Sequence, residues 1–163
     1  MKRAFFILLI MSVILVSCTK KQELLYYQRD GLFVECTLNG EYKISIEKMS
    51  SEYKICFISP SELSSLSFHI SDEPYAISED GVKIPLPSDK ITGIYALCGA
   101  FELDESLITS ATPSDNGRAI YSFLKNDILY EITYSKSSLP LYLEITSDTL
   151  HYEIKFDAIR LPQ

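Results

Sequence analysis

The chain has 163 residues, a formal net charge of −7 and 47% apolar residues. This length and apolar content are enough for one domain with a hydrophobic core. Because an acidic domain repels a phosphate backbone, we expect no nucleic-acid partner.

The N-terminus has the three parts of a secretory signal in the required order. Lys2 and Arg3 precede an almost wholly apolar run, 4–16. That run is too short for a permanent membrane span but typical of a cleavable signal peptide. The sequence Leu-Val-Ser-Cys, ending at Cys18, resembles the bacterial lipobox, in which small residues admit the signal peptidase and the thiol receives diacylglycerol. We therefore predict a lipoprotein precursor with a signal peptide at 1–17; an ordinary signal peptide with a chance cysteine is the alternative.

Lipidation would anchor the mature chain to a membrane. Diacylglycerol on Cys18, with a further acyl chain such as palmitate on the freed amine, gives stable binding where one chain would be marginal. No other cofactor is expected. Thr19, and not Asp, follows the cysteine, so the usual inner-membrane retention signal is absent. We predict an extracytoplasmic lipoprotein of the cell envelope, on the cell membrane or on the outer membrane if the host has one.

Cleavage also divides the chain into three parts. It removes two positive residues, so Lys plus Arg falls from 15 to 13 against 22 Asp plus Glu, and the net charge falls to −9. Residues 18–30 are polar and charged and are predicted to be the lipidated cysteine and a tether. Residues 31–163 are predicted to form a single β domain.

The cysteines beyond Cys18 give no metal motif. Cys36, Cys56 and Cys98 are an odd number without CxxC or zinc spacing. Only two histidines, His69 and His151, accompany them, so no metal site is expected. We interpret the three cysteines as small buried hydrophobes, with a Cys36–Cys56 disulfide as the alternative.

Period-two alternation predicts strands along most of the chain. For the first hairpin, a three-residue loop 38–40 would pair Cys36 with Tyr42 and Val34 with Ile44, which keeps both apolar sets on one face. Two short strands near 75–77 and 82–86 follow, and prolines make the second an edge. The first half of the chain is predicted to contain strands at 32–36, 42–46, 53–58, 66–70, 75–77 and 82–86.

One helix and a C-terminal meander complete the prediction. Ser88 is expected to cap a helix whose apolar stripe contains Ile91, Ile94, Tyr95, Cys98 and Phe101. Segment 110–116 is interpreted as a polar loop. Four strands follow, the last of them expected at a sheet edge, and the last hairpin is expected to pair Leu143 with Tyr152. These strands are predicted at 119–123, 128–134, 141–145 and 150–156.

This order of elements resembles the outer-membrane lipoprotein carrier family, the Lol carriers. The resemblance covers roughly 31–156, and its short local matches are 57–60, 129–134, 138–141 and 154–156. It implies a mainly β (α+β) fold: a curved antiparallel sheet, or incomplete barrel, with one or two helices across its concave face. Between the helices and the sheet the family has an apolar cavity that takes acyl chains.

On this resemblance eleven apolar side chains would line the cavity; the alternative from the residues alone is a closed core. The sequence also departs from the family pattern. Ser138 replaces a turn glycine, and strand two offers only Lys43 for the arginine that latches the family's lid. The candidate cavity residues are Val34, Ile44, Ile46, Ile55, Phe57, Phe68, Tyr130, Ile132, Leu143, Tyr152 and Ile154.

Two function classes follow, and neither is an enzyme. The first is a membrane-anchored lipid-binding module that holds an acyl chain or another hydrophobic ligand. The alternative is an anchored protein–protein interaction module of the cell envelope, without a ligand cavity. No nucleophile motif surrounds any serine, and His69 and His151 both lie in alternating strands, so no catalytic residues are predicted.

Overall fold

The computed structural model describes Leu24 and residues 28–161. The predicted signal peptide and Cys18 lie outside these residues. The described part contains one α-helix, α1 (Thr92–Gly99), and eleven strands. The strands are β1 (Phe33–Leu38), β2 (Tyr42–Met49), β3 (Glu52–Ser59), β4 (Ser67–Ile70), β5 (Tyr75–Ile77), β6 (Lys83–Pro85), β7 (Ile108–Ser114), β8 (Arg118–Lys125), β9 (Ile128–Tyr134), β10 (Pro140–Thr146) and β11 (His151–Arg160).

All eleven strands form one open antiparallel sheet, so the predicted mainly β fold is confirmed. The order is β6-β5-β4-β3-β2-β1-β11-β10-β9-β8-β7. Two meanders, β1–β6 and β7–β11, are joined where β1 pairs with β11, for example through Leu38 and Ile154. The prediction of the C-terminal strand as an edge is wrong, because β11 lies in the centre. The prediction of β6 as an edge strand is confirmed.

The alternation of side chains gives the sheet two different faces. The inner face carries Val34, Ile46 and Ile132, each 0% exposed, and α1 packs against it. The outer face is polar and carries residues such as Glu131 and Glu144. A strand with one buried and one solvent-exposed face requires apolar and polar residues to alternate with a period of two.

The predicted registers of the first and last hairpins are wrong by two residues, although the buried faces are right. Val34 pairs with Ile46 instead of Ile44, and Leu143 pairs with Ile154 instead of Tyr152. A slip of two residues returns every side chain to the same face, so the hydrophobic pattern alone does not distinguish these registers.

The turn explains the register of the first hairpin. Asn39 and Gly40 both have left-handed backbones, with φ of 51° and 70°, and the Glu41 amide donates to the Leu38 carbonyl at 3.1 Å. The loop is therefore 39–41 and not 38–40. Asn and Gly adopt positive φ with little cost, which places them at the centre of the turn.

The helix and the segment that follows it also differ from the prediction. Ser88 does not cap α1: it begins a 3₁₀ turn (Ser88–Lys90), and Ile91 precedes the helix without a side-chain cap. The segment predicted as a polar loop, 110–116, overlaps strand β7 over residues 110–114. β7 is an edge strand whose residues are mostly exposed, so it lacks the apolar alternation by which strands are recognised.

No helix within the described ranges is long and apolar enough to cross a bilayer.

Candidate functional site

The candidate cavity residues lie together on the inner face, where they pack in the hydrophobic core. Eight of them are 0–3% exposed, and the other three are half-buried against the same cluster. That cluster also contains Leu97, Cys98 and Phe101 from the helix and the turn after it. A space wide enough for a hydrocarbon tail would leave its lining accessible to a water-sized sphere. These eight side chains therefore enclose no such space among themselves on the inner face, although Tyr130 also lines an open pocket of about 270 Å³ beside α1. They are Val34, Ile44, Ile46, Ile55, Tyr130, Ile132, Leu143 and Ile154.

An apolar gap of about 60 Å³ does remain between α1 and the sheet. Leu38 and Tyr152 from the sheet and Gly93, Ile94 and Leu97 from the helix line it. Pockets that bind small molecules usually measure ~300–1,000 Å³. The gap is therefore much smaller than the cavity that the resemblance implies.

The helix is held against the inner face by close contacts at its glycines. A Cβ at Gly99 would lie 2.7 Å from the hydroxyl of Tyr130, and the hydroxyl of Tyr152 occupies the space that a Cβ at Gly93 would need. Burial, followed by the charge of Glu102, raises the pKa of Tyr130 to about 12. Both glycines, which weaken the helix in isolation, allow it to approach the tyrosines.

A lysine on the inner face of the sheet binds the end of the helical segment. The Nζ of Lys48 donates to the Phe101 carbonyl at 3.0 Å and to the Gln28 carbonyl at 2.6 Å. The Gln28 side chain in turn donates to the Ala100 carbonyl at 2.6 Å. The resemblance suggested Lys43 for such a latch, but Lys43 lies on the outer face beside Glu35, at 4.0 Å. The lysine of β2 that contacts the helical segment is Lys48.

Glu102, just beyond the helix, links both halves of the sheet. The Tyr53 hydroxyl donates to its Oε1 at 3.1 Å, and the Nζ of Lys125 lies 3.1 Å from its Oε2. Burial, and then the charge of Glu102, hold the pKa of Tyr53 well above its usual range. The helical segment is thus fixed to β3 and β8 by polar contacts as well as by packing.

The outer face has a groove of about 440 Å³ across its central strands. Residues from β1, β8, β9, β10 and β11 and from the first hairpin loop line it. Tyr142, 46% exposed, offers an aromatic surface there. The lining residues are Thr37, Gly40, Ile120, Glu131, Thr133, Tyr142, Leu143, Glu144, Glu153, Ile154 and Lys155.

Three glutamates form a row across this groove. Glu144 is directly opposite Glu131 on one neighbouring strand and directly opposite Glu153 on the other. Side chains in such positions have Cβ atoms only ~4.5–5.5 Å apart, and like charges there destabilise the sheet. This glutamate row (Glu131, Glu144 and Glu153) concentrates negative charge along one line of the groove.

The neighbours of the row offset this charge only in part. Ser122 donates to Glu131 at 3.1 Å. His151 lies between the other two, with Nδ1 3.7 Å from Glu144 and Nε2 3.6 Å from Glu153. Lys155 lies in the same groove, but its Nζ is 3.7 Å from Asp157.

Cys36 and Cys98 are buried, as the packing interpretation predicts, whereas the same interpretation is wrong for Cys56, which is only half-buried. Cys36, Cys56 and Cys98 are all free. Cys36 is on the inner face, whereas Cys56 pairs with Ser45 and Ser67 on the outer face. The alternative Cys36–Cys56 disulfide is therefore wrong. Burial is the main cause that raises the pKa of Cys36 and of Cys98 to about 12. Within the described residues no group of three or more His, Cys, Asp or Glu could hold a metal ion.

Comparisons with known proteins assign no family. No family model and no curated protein matches the chain. Among solved structures, one similar chain is an uncharacterized conserved protein from Thermus thermophilus. It is 8% identical, with a TM-score of 0.47, over 86% of this chain and 84% of that chain. A likeness at this level indicates neither a family nor a function.

Sequence reasoning missed both the glutamate row and the contacts of Lys48 with the helical segment. The row depends on which residues stand opposite each other, and that depends on register, which no local pattern specifies. Lys48 lies in a strand whose preceding inner-face residues are apolar, and only its i+2 spacing from Ile46 could have placed it on the inner face.

Proposed function

We propose that this chain is a membrane-anchored extracytoplasmic module that binds a basic segment of a partner protein in the outer-face groove. The glutamate row is the observation that carries the proposal. Three like charges at one cross-strand position cost stability, and Lys or Arg side chains of a partner would neutralise them. Charge complementarity of this kind sets specificity and accelerates association.

The shape of the groove supports a peptide segment as the ligand. Its volume of about 440 Å³ lies within the usual range for binding sites. Tyr142 lies on the same face, and exposed aromatic rings are frequent anchors at interfaces. An extended basic segment could place its cations over Glu131, Glu144 and Glu153 and pack its aliphatic stems on the tyrosine ring.

The membrane anchor in this proposal is diacylglycerol on Cys18. The sequence of the first residues supports it, since the positive end, the short apolar run and the lipobox-like tetrapeptide come in order. Metabolic labelling with palmitate in a bacterial host tests it directly. Label in the native chain that disappears in Cys18→Ser supports the anchor, and equal label or none in both chains overturns it.

The proposal also takes the sheet as the curved, incomplete barrel of carrier-like proteins, with α1 across its concave face. The open strand order and the packing of α1 on the inner face support this interpretation. The acyl-chain ligand of such carriers stays a prediction. Binding it between α1 and the sheet would require the helical segment to leave the inner face, with loss of the contacts made by Lys48 and Gln28.

A binding titration separates the two functions. The full chain in detergent micelles would be titrated with a lysine-rich peptide and, separately, with a fluorescent fatty acid. We expect saturable peptide binding that weakens with salt and falls about tenfold, or ~1.4 kcal/mol, in Glu144→Gln, because the partner's cations would lose the central carboxylate of the row. Glu41→Gln, an exposed glutamate in the first hairpin loop, is the control. Fatty-acid binding without peptide binding would favour the carrier function and overturn the interaction module.

A further inference from the structure

A second polar constellation lies on the outer face, at β3 and β4 and away from the glutamate row. The Oγ of Ser67 and the Nε2 of His69 are 3.4 Å apart. The Nδ1 of the same imidazole is in close contact with the Oε1 of Glu52. Ser67 and His69 are two residues apart on one strand, and His69 pairs with Lys54 on β3. Glu52, two residues before Lys54, is therefore diagonal to the imidazole.

This arrangement fixes the proton positions on the imidazole. An ionised carboxylate can only accept hydrogen bonds, so the Nδ1 of His69 carries the proton that faces Glu52. The lone pair on Nε2 then faces Ser67 and can accept the hydroxyl proton. A serine, a histidine and a carboxylate in this order form the relay by which hydrolases activate a nucleophile.

The surroundings hold the imidazole in this orientation. Its side chain is only 12% exposed, and its ring stacks on Tyr75 with centroids 4.7 Å apart and planes 5° apart. A ring held on one face by an aromatic neighbour and at one nitrogen by a carboxylate has little freedom to turn. Serine–imidazole distances are often long without substrate and shorten in the complex, so 3.4 Å is within reach of proton transfer.

Space for a substrate adjoins the serine. Ser67 lines a groove of about 410 Å³ on the outer face, where half of the other lining residues are serines and the rest are Cys56, Leu66, Ile77 and Glu79. The serine hydroxyls suit a polar group such as an ester, the few apolar side chains suit a short hydrocarbon part, and the glutamate disfavours an anionic substrate. The lining therefore fits a small, uncharged carboxylic ester.

We propose that Ser67, His69 and Glu52 form a hydrolytic site for small neutral esters. The Oγ of Ser67 attacks the ester carbonyl carbon as its proton moves to Nε2 of His69. The bond to the alcohol oxygen breaks, and the alcohol leaves with that proton. Water then gives a proton to the same nitrogen and attacks the acyl-serine, which releases the carboxylic acid and restores the Ser67 hydroxyl. Glu52 is a positioning residue that keeps the imidazole in the required tautomer.

The three side chains come from two paired strands, and for this reason no local sequence pattern marks the site. Ser67 lies in no nucleophile motif, and Glu52 is fifteen positions upstream in another strand. Only the pairing of β3 with β4 brings the three side chains together. The proposal is independent of peptide binding in the groove that contains the glutamate row.

The test combines covalent labelling with ester hydrolysis by the full chain in detergent micelles. A fluorophosphonate probe is expected to label Ser67, as a mass increase on the peptide that contains it. With p-nitrophenyl acetate, Ser67→Ala should reduce the rate above background at least about 100-fold, the usual scale for a general base and its nucleophile. Glu52→Gln should lower kcat and leave KM nearly unchanged, since it acts through the imidazole.

Two control variants exclude trivial esterolysis. His151→Gln removes an exposed imidazole that also lies between carboxylates, and Ser71→Ala removes a serine whose hydroxyl donates to the Glu73 carbonyl at 3.3 Å. Both should retain the native rate. Absence of label at Ser67 in the native chain overturns the proposal. A rate that survives in Ser67→Ala overturns it as well, whether or not the peptide titration succeeds.

Discussion

Glu131 on β9 and Glu144 on β10 stand directly opposite each other on the outer face of the sheet. Glu153 extends the same line on β11. Cross-strand pairs normally stabilise a sheet through opposite charges or packing. These pairs bring like charges together and therefore destabilise it. A surface that retains such repulsion is expected to gain stability when the charge is removed and to lose binding at the same time.

Glu144→Gln should therefore stabilise the free protein. Glu144 has a glutamate on both sides, so the amide relieves two repulsive pairs and keeps the side-chain volume. We expect a gain of ~0.2–1 kcal/mol in the free energy of unfolding, the range for cross-strand pairs. Urea unfolding at low salt measures it, and added salt should shrink the gain by screening. Glu41→Gln, in the first hairpin loop, is the control, and equal effects of the two variants would contradict the prediction.

Lys48→Met should destabilise the fold through the carbonyls that it leaves behind. Removing the ammonium group takes away the donor that lies 2.6 Å from the Gln28 carbonyl and 3.0 Å from the Phe101 carbonyl. An unsatisfied buried acceptor costs ~1–3 kcal/mol. Lys43→Met on the same strand, with a side chain 44% exposed and 4.0 Å from Glu35, should change stability by less than ~0.5 kcal/mol. Urea denaturation of both variants compares them, and a similar loss in each would argue against these contacts.

The sequence predicted most of the strands and their buried faces because both follow from a local pattern. Val34, Ile46, Ile132 and Leu143 alternate with polar neighbours, and each is buried on the inner face. Strand β9 was predicted with the bounds that the structure has, 128–134. In these elements the apolar period of two matches the way that side chains alternate along a strand.

What the sequence missed depends on contacts between distant segments. The central position of β11 requires its pairing with β1, and no local pattern specifies the partner of a strand. The predicted pairing partners of Val34 and Leu143 are wrong by two residues, because a slip by any even number of residues keeps the same side chains on the buried face. The glutamate row and the contact of His69 with Glu52 both follow from strand pairing and register, so neither could be found from spacing alone.

Stability should fall as the pH rises above about 9. Burial raises the pKa of the Cys36 and Cys98 thiols from 9.0 to about 12, and that of Tyr130 from 10.0 to about 12. These groups ionise earlier in the unfolded chain, so their stabilising effect is complete below about pH 9 and is lost as the pH approaches about 12. Urea midpoints measured from about pH 8 to about pH 11 should decrease steadily. Cys98→Ala should flatten this dependence, and an unchanged slope would contradict the assignment.

Gly99→Ala should destabilise the fold only while Tyr130 retains its hydroxyl. A Cβ at Gly99 would lie 2.7 Å from that oxygen and 3.6 Å from the ring carbon that bears it. The first distance forces the helix or the ring to move, whereas the second is an ordinary contact. In a Tyr130→Phe background the same substitution should cost much less, because Ala also favours the helix over Gly by ~0.8–1 kcal/mol. A double-mutant cycle of unfolding free energies isolates the coupling. Additive effects would mean that α1 does not lie this close to β9 in solution, and they would reopen the space under the helix to an acyl chain.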